Sequence, residues 1–301
     1  TAGVGMSSFL AWYSSIDAIG PAQALGLNIT YSAWGVILSL LFLNQPFHLS
    51  VFAGSLLVLL GVCYAMLPAS KSSSSMNAII LAAGLGTRLR PLTNDRPKCL
   101  VPVLGTPMIE QQIHFLHESG ITDITIVSGY RADSLDYLKT RYGVKIVHNE
   151  YYNEYNNIYS LYLVREVFGD SYVLEGDVYM PANCLESDIT HSTYFAAYRE
   201  KYENEWGLTL DDNQLVKEIR PQSGTGYILS GISYWTHDDA EKIRMRIDEL
   251  VASGEFESLF WDDAVLQLQD ELTIYCRPTQ IYEIDTVPEL RALEALLTQH
   301  A

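Results

Sequence analysis

Glycines, cations and prolines lie close together in residues 76–103, whose sequence is MNAIILAAGLGTRLRPLTNDRPKCLVPV. Gly84 and Gly86 allow a tight turn that brings backbone N–H groups close to a ligand. Arg88 and Lys98 follow, and the prolines between them stiffen the chain, so that positive charge is held beside the turn. The segment contains neither the third glycine of a dinucleotide-binding motif nor a Gly-Lys-Ser/Thr phosphate loop. It therefore predicts a different kind of polyphosphate-binding site.

Two aspartates at predicted strand ends are candidate metal ligands. Asp177 follows the apolar run 172–174, and Asp285 ends the run 281–285. Mg²⁺ prefers a few carboxylate oxygens together with water and phosphate oxygens, although aspartates at strand ends also serve as turn or cap residues. With Arg88 and Lys98, a bound Mg²⁺ could neutralise charge while a phosphate monoester attacks a nucleoside triphosphate. That reaction needs positioning and no side-chain nucleophile.

The elements that would position these residues follow an alternating pattern of strands and helices. Predicted strands at 77–83, 123–128, 144–148 and 171–176 are separated by predicted helices at 107–118, 132–140 and 157–168. This order predicts an α/β fold with a mostly parallel sheet and helices on both faces, whose ligands bind at the carboxyl ends of the strands. Further along, we predict a small antiparallel acceptor-binding part between residues 193 and 235, helices at 238–252 and 261–270, a strand pair within 272–284 and a helix at 287–299.

Charge and cysteine content exclude several classes of protein. The net charge of −17 argues against a nucleic-acid partner, because phosphate backbones are bound by basic patches, and it suits a cationic substrate. The four cysteines are far apart and form no C-x-x-C pair, so that neither a zinc site nor a disulfide framework is indicated.

The first 70 residues differ in composition from the rest of the chain. They contain no Lys or Arg and one acid, Asp17, and they include apolar runs at 29–43 and 49–67. These runs predict transmembrane helices in residues 1–70, followed by a polar linker at 71–75 and a second domain at 76–301. The absence of a basic start disfavours a signal peptide. A buried helical hairpin in a soluble protein remains the alternative.

Aromatic and acidic residues are interleaved in the second half of the chain. Aromatic faces attract quaternary ammonium groups with roughly 0.5–2 kcal/mol each, and neighbouring carboxylates add to that attraction. The pattern favours a choline-like ligand, while the alternative is that these aromatics are core residues. The candidates are Tyr198, Glu205, Trp206, Trp235, Phe260, Trp261 and Asp262.

Specific motifs carry a resemblance to a known family. Residues 81–89, LAAGLGTRL, followed by Pro97-Lys98, resemble the signature of nucleotidyltransferases that activate small phosphorylated metabolites. From residue 76 to about 286 the chain is similar to bacterial CTP:phosphocholine cytidylyltransferases, through YNNIYSLYL at 155–163, NEW at 204–206 and YEID at 282–285. The resemblance implies transfer of a cytidylyl group from CTP to phosphocholine.

The resemblance also implies roles for individual residues. Arg88, Lys98, Asp177 and Asp285 would be catalytic, with Mg²⁺ held by the two aspartates. Phe260 stands where the family carries a tyrosine, and it therefore lacks a hydroxyl. Trp206, Phe260 and Trp261 would be the aromatic residues that face choline. The implied nucleotide-binding residues are Leu81, Ala82, Ala83, Gly84, Gly86, Thr87, Arg88, Asn156, Asn157 and Ser160.

A second, looser resemblance concerns the N-terminal part. GPAQA at 20–24 and GSLLVLLGV at 54–62 resemble the last helices of drug/metabolite-type transporters. This implies a transporter fused to a cytidylyltransferase, with the catalytic domain tethered to the membrane in the bacterial cytoplasm. The product would serve phosphocholine decoration of surface glycans. The open alternatives are a sugar-1-phosphate or phosphoethanolamine nucleotidyltransferase and a non-catalytic nucleotide-binding regulatory domain of a transporter.

Overall fold

The computed structural model describes residues 76–299. The predicted transmembrane segment 1–70 and the linker 71–75 lie outside the described residues. Within residues 76–299, the helices are all too short or too polar to cross a bilayer.

The described residues form six α-helices and four short 3-10 turns. Two predicted helices, 132–140 and 157–168, are each divided in the structure into a 3-10 turn and a shorter α-helix. The α-helices are α1 (Met108–Glu118), α2 (Tyr137–Tyr142), α3 (Asn157–Leu163), α4 (His237–Ser253), α5 (Trp261–Gln267) and α6 (Val287–Gln299). Short 3-10 turns occupy Thr87–Leu89, Lys98–Leu100, Ala132–Leu135 and Arg165–Val167.

Most strands belong to one mixed sheet with the order β10-β8-β9-β6-β1-β4-β5. The strands are β1 (Asn77–Ala82), β2 (Pro102–Val103), β3 (Thr106–Pro107), β4 (Asp123–Ser128), β5 (Lys145–His148), β6 (Ser171–Glu175), β7 (Val178–Tyr179), β8 (Thr193–Leu210), β9 (Val216–Trp235), β10 (Tyr275–Pro278) and β11 (Tyr282–Glu283). Strands β6, β1, β4 and β5 are parallel, whereas β9 is antiparallel to both β6 and β8. The predicted α/β fold with a mostly parallel core is confirmed.

The structure confirms one prediction about the second half of the chain and corrects another. Residues 193–235 form antiparallel strands, as predicted, and β9 also pairs with β6 from Ser171↔Trp235 to Leu174↔Ile232 and so extends the main sheet. The predicted strand pair within 272–284 does not form. Instead β10 pairs with β8, and β11 pairs with β7.

Strand β1 separates two hydrophobic cores. Ile79 and Leu81 pack on one face of the sheet, with α3, α4 and α5, while Ile80 and Ala82 pack on the other, with α1 and α2. This alternation follows from the period of two in a strand. Helices therefore cover both faces, as predicted, and the carboxyl ends of β1 and β6 lie at one edge of the sheet.

Candidate active site

The glycine turn after β1 lies directly against Lys98. Gly86 has a φ of 58°, and its carbonyl accepts a hydrogen bond of 2.7 Å from the Thr93 hydroxyl. A Cβ atom at Gly86 would lie 2.9 Å from the Cβ of Lys98. Both the left-handed backbone and this close approach favour glycine. The glycine turn and Lys98 are therefore packed directly against each other.

Lys98 bridges the two predicted metal ligands. Its ammonium donates hydrogen bonds to Asp177 Oδ2 and, at 2.5 Å, to Asp285 Oδ1. The Arg88 guanidinium lies 2.7 Å from the same oxygen of Asp285. Burial of the ammonium would lower the pKa of Lys98, but the charges of Asp177 and Asp285 outweigh it and raise this pKa to about 12. The structure thus brings together all four residues predicted to be catalytic.

A short β-bridge joins the two aspartates. Asp177 separates β6 from β7, and Asp285 follows β11. Val178 of β7 pairs with Glu283 of β11, and the amide of Ile284 donates to the Asp177 carbonyl at 3.2 Å. These backbone contacts hold the carboxylates near Lys98.

The carboxylate arrangement fits a divalent cation. Asp177 Oδ1 is buried and has no hydrogen-bond partner among residues 76–299. Oxygens of Glu175, Asp177 and Glu283 all lie within 4.8 Å of one another, a group that contains the predicted ligand Asp177 but not Asp285. Burial and the neighbouring charge of Asp177 raise the pKa of Glu175 well above its usual value. A cluster of hard oxygen donors is the chemistry that Mg²⁺ and similar ions prefer.

A cavity of about 190 Å³ opens beside Asp177. Ala82 does not line it, because its side chain points to the opposite face of the sheet, and neither do Gly86, Thr87 and Arg88. The predicted nucleotide-binding residues that line it are Leu81, Ala83, Gly84, Asn156, Asn157 and Ser160. The sequence prediction missed Asn149, Tyr152, Tyr155 and Glu175.

Asn157 connects this cavity to the predicted acceptor residues. Its Nδ2 donates to Glu175 Oε1 at 3.1 Å, and its Oδ1 accepts from the Trp261 amide at 2.9 Å. On the other side of the cavity, Nδ2 of the buried Asn149 donates to the Ser160 hydroxyl at 3.1 Å. Asn149 was missed because a polar residue just after a strand is ordinary in a turn. Only folding shows that it is buried.

Several predicted acceptor residues offer surface to a ligand. Tyr198 is 54% exposed and Phe260 is 45% exposed, while Trp206 is half-buried and Glu205 is exposed. Asp262 Oδ1 accepts a hydrogen bond of 2.8 Å from the hydroxyl of Tyr194, a residue that the sequence prediction did not include.

Burial governs the ionisation of this Asp262–Tyr194 pair. Burial raises the pKa of Asp262 to about 7, although the hydrogen bond from Tyr194 lowers it. A cation bound nearby would favour the ionised carboxylate.

Trp235 is a core residue, so the prediction that it contacts choline is wrong. Its side chain is 0% exposed, and its ring packs edge-on against Tyr194 at 5.3 Å and Trp261 at 5.9 Å. Its indole N–H donates to the Ser233 hydroxyl at 2.8 Å. Trp261 is itself only 3% exposed, so its side chain offers little surface to a ligand. The interleaved aromatics thus include both core and surface residues.

Comparison with known proteins agrees with this geometry. The choline-phosphate cytidylyltransferase of Streptococcus pneumoniae is 51% identical over 225 residues, which are 74% of this chain and 98% of that protein. The choline-phosphate cytidylyltransferase of Haemophilus influenzae is 36% identical over 228 residues, with coverage of 74% and 98%. A solved structure of the CTP:phosphocholine cytidylyltransferase from Streptococcus pneumoniae superposes with a TM-score of 0.73 at 50% identity, covering 74% of this chain and 99% of that chain.

The family assignment rests on the same part of the chain that forms the site. The nucleotidyl transferase family model matches residues 77–258, which include the glycine turn, Lys98 and Asp177. Enzymes of this family generally use a divalent metal ion, which agrees with the carboxylate cluster. Fold, site and similarity agree, and the chain belongs to the nucleotidyl transferase family.

Proposed function

We propose that this enzyme transfers the cytidylyl group of CTP to phosphocholine and releases CDP-choline and pyrophosphate. The observation that carries this proposal is the placement of Lys98 between Asp177 and Asp285, while Asp177 also lines a cavity together with Ala83 and Gly84. The names of the relatives that are 51% and 36% identical support CTP and phosphocholine as the substrates.

The reaction is an in-line displacement at phosphorus. A phosphate oxygen of phosphocholine forms a bond to the α-phosphorus of CTP, and the bond to the β-phosphate bridging oxygen breaks. The electron pair of that bond leaves with pyrophosphate. Backbone amides of residues 84–88 and Arg88 bind the triphosphate, while Lys98 stabilises negative charge on the transferring group. Such a reaction needs oriented charges and no covalent intermediate.

We assign Mg²⁺ as the metal and Asp177 and Asp285 as the residues that would hold it. Mg²⁺ suits a site built from one or two carboxylates and substrate phosphate oxygens. When bound, the ion supplies positive charge that neutralises the phosphate oxygens.

We infer that the exposed and half-buried predicted acceptor residues bind the ammonium of choline. Trp206 and Phe260 present aromatic surface, and Glu205 and Asp262 add carboxylates. Each aromatic face contributes roughly 0.5–2 kcal/mol to binding a quaternary ammonium group. Phosphoethanolamine carries the same charge on a smaller group that retains N–H donors, so it is the closest competing acceptor.

Pyrophosphate release by the purified full chain tests this function. We expect release with CTP, Mg²⁺ and phosphocholine, and a kcat/KM at least about tenfold lower with phosphoethanolamine, since fewer apolar contacts form. Glucose-1-phosphate should give no release, because it lacks a cation for the aromatic and acidic residues.

The outcomes of this assay separate the alternatives. Turnover only with glucose-1-phosphate would keep the catalytic residues and reject the choline assignment. A preference for phosphoethanolamine would change only the assigned acceptor and would leave the proposed reaction and catalytic residues in place. CTP binding without turnover on any acceptor would favour a nucleotide-binding regulatory domain.

We also propose that residues 1–70 tether the enzyme to the membrane, with the catalytic domain in the cytoplasm, where it would supply CDP-choline for decoration of surface glycans. The support is the charge-free apolar runs at 29–43 and 49–67. We expect the full chain to stay in the membrane fraction after an alkaline wash, and a chain lacking residues 1–70 to be soluble. Release of the full chain by the wash would contradict the tether.

A further inference from the structure

We propose that Gln112 is a positioning residue that fixes the direction of the Asp177 carboxylate. Gln112 lies on α1, far in sequence from the catalytic motifs, and it does not reach the cavity. The inference rests on the proposed role of Asp177 in holding the metal. According to this inference, one buried amide determines how accurately the Asp177 carboxylate is oriented.

Both N–H groups of the Gln112 side chain point at the Asp177 segment. Nε2 donates to the carbonyl of Glu175 at 2.8 Å and to the carbonyl of Val178 at 2.8 Å. Because carbonyl oxygens only accept hydrogen bonds, these partners determine which end of the amide faces the segment. The two carbonyls flank Asp177 on either side. One side chain therefore fixes the backbone immediately before and after the aspartate.

Backbone contacts alone hold the segment less completely. The Gly176 amide donates to the Leu81 carbonyl at 2.9 Å, and the Ile284 amide donates to the Asp177 carbonyl at 3.2 Å. These bonds tie the segment to β1 and to the chain beside β11. Strand pairing also holds the two ends of the segment, since Glu175 pairs with Leu81 and Val178 with Glu283. Gln112 adds a donor from α1 to the carbonyls of Glu175 and Val178, and we expect its loss to remove a constraint on the residues between them.

The burial of Gln112 favours a specific role over simple space filling. Its side chain is 0% exposed, and its Oε1 has no hydrogen-bond partner within residues 76–299. Burying an unpaired amide oxygen is unfavourable, and an apolar side chain of similar shape would fill the same space. The two hydrogen bonds that its N–H groups donate therefore explain why an amide is buried at this position.

Gln112 also connects the two halves of the catalytic site. Helix α1 follows the segment that carries Lys98, and the Met108 amide at its start donates to the Val101 carbonyl at 3.3 Å. The Lys98 turn itself closes through a hydrogen bond from the Val101 amide to the Lys98 carbonyl at 3.0 Å. Through α1, the position of Asp177 is thus set relative to that of Lys98.

Metal binding to Gln112 variants of the full chain tests this role. Gln112→Met removes both donors, whereas the buried carboxylic acid of Gln112→Glu retains one. We expect the Kd for Mn²⁺, measured by electron paramagnetic resonance without nucleotide, to rise about 10–100-fold for Gln112→Met and by less for Gln112→Glu. The Mg²⁺ concentration that gives half-maximal turnover should rise in the same order.

A neighbouring glutamine provides the matched control. Gln111 lies on the same helix, but its Oε1 accepts from the Met180 amide at 3.4 Å and does not touch the Asp177 segment. Gln111→Met should leave the Mn²⁺ Kd unchanged. Wild-type Mn²⁺ affinity in folded Gln112→Met, or in Gln112→Glu if the first variant does not fold, would overturn the inference. Failure of the wild-type chain to bind Mn²⁺ would instead reject the proposed metal site.

Discussion

Replacement of Asp177 by asparagine is expected to lower kcat/KM by at least about 10³-fold, because it removes a charge at the centre of the proposed metal site. Asparagine keeps the shape of the side chain, so the hydrogen bonds made by the backbone around residue 177 should persist. Asp177 Oδ2 accepts a hydrogen bond from the Lys98 ammonium, and Oδ1 has no hydrogen-bond partner among residues 76–299. The defect should therefore lie in metal binding and turnover and not in folding.

Steady-state pyrophosphate release over a range of Mg²⁺ concentrations measures this effect. Excess Mg²⁺ should restore little activity, and the circular dichroism spectrum should match that of the wild type. Asp212→Asn makes the same chemical change at an exposed position in the turn between β8 and β9, and it should have wild-type kinetics. Asp177→Asn turnover within tenfold of wild type would remove Asp177 from the catalytic assignment.

Replacement of Lys98 by methionine should have opposite effects on turnover and on metal binding. This change removes the ammonium that we propose stabilises the transferring phosphoryl group, so kcat should fall about 10²–10³-fold. The same ammonium contacts both Asp177 and Asp285, and it competes with any cation for those carboxylates. Without nucleotide, Mn²⁺ should therefore bind at least about tenfold more tightly, since each close charge pair contributes on the order of 1 kcal/mol or more.

Two further variants separate charge from geometry at this position. Lys98→Arg keeps the positive charge, so its Mn²⁺ affinity should stay near that of the wild type, but turnover should fall because a planar guanidinium cannot replace a compact ammonium. Lys201→Met removes a lysine whose side chain is 82% exposed, and it should change neither quantity. Weaker Mn²⁺ binding in Lys98→Met would show that the ammonium does not compete with the metal.

The sequence predicted the parts of the site that depend on strand ends. Asp177 follows the apolar strand β6, which is parallel to β1, so its approach to the glycine turn was foreseeable. Asp285 follows β11, which pairs antiparallel with β7 outside the main sheet, so its position depends on that pairing. Glu175 and Glu283 were not recognised, although each lies two residues before a predicted ligand. Their approach depends on the pairing of β7 with β11, and strands this short leave little pattern in the sequence.

Other features depend on packing, which a single sequence does not reveal. Trp235 and Phe260 have similar aromatic neighbours in the sequence, yet one is fully buried and the other is 45% exposed. Gln112 has an ordinary place in an amphipathic helix, and only the folded chain shows that its amide faces Glu175 and Val178. Side-chain chemistry was thus easier to predict than the direction in which each side chain points.

The β7–β11 bridge joins parts of the site that are synthesised at different times. Lys98 and Asp285 are 187 residues apart, so a ribosome working at about 5–20 residues per second needs roughly 10–40 s to pass from one to the other. During that interval the nascent chain carries the glycine turn, Lys98 and Asp177, but it lacks the second carboxylate. An unfinished or prematurely terminated polypeptide therefore lacks part of the proposed catalytic site, and we expect nucleotide turnover only after translation has passed Asp285.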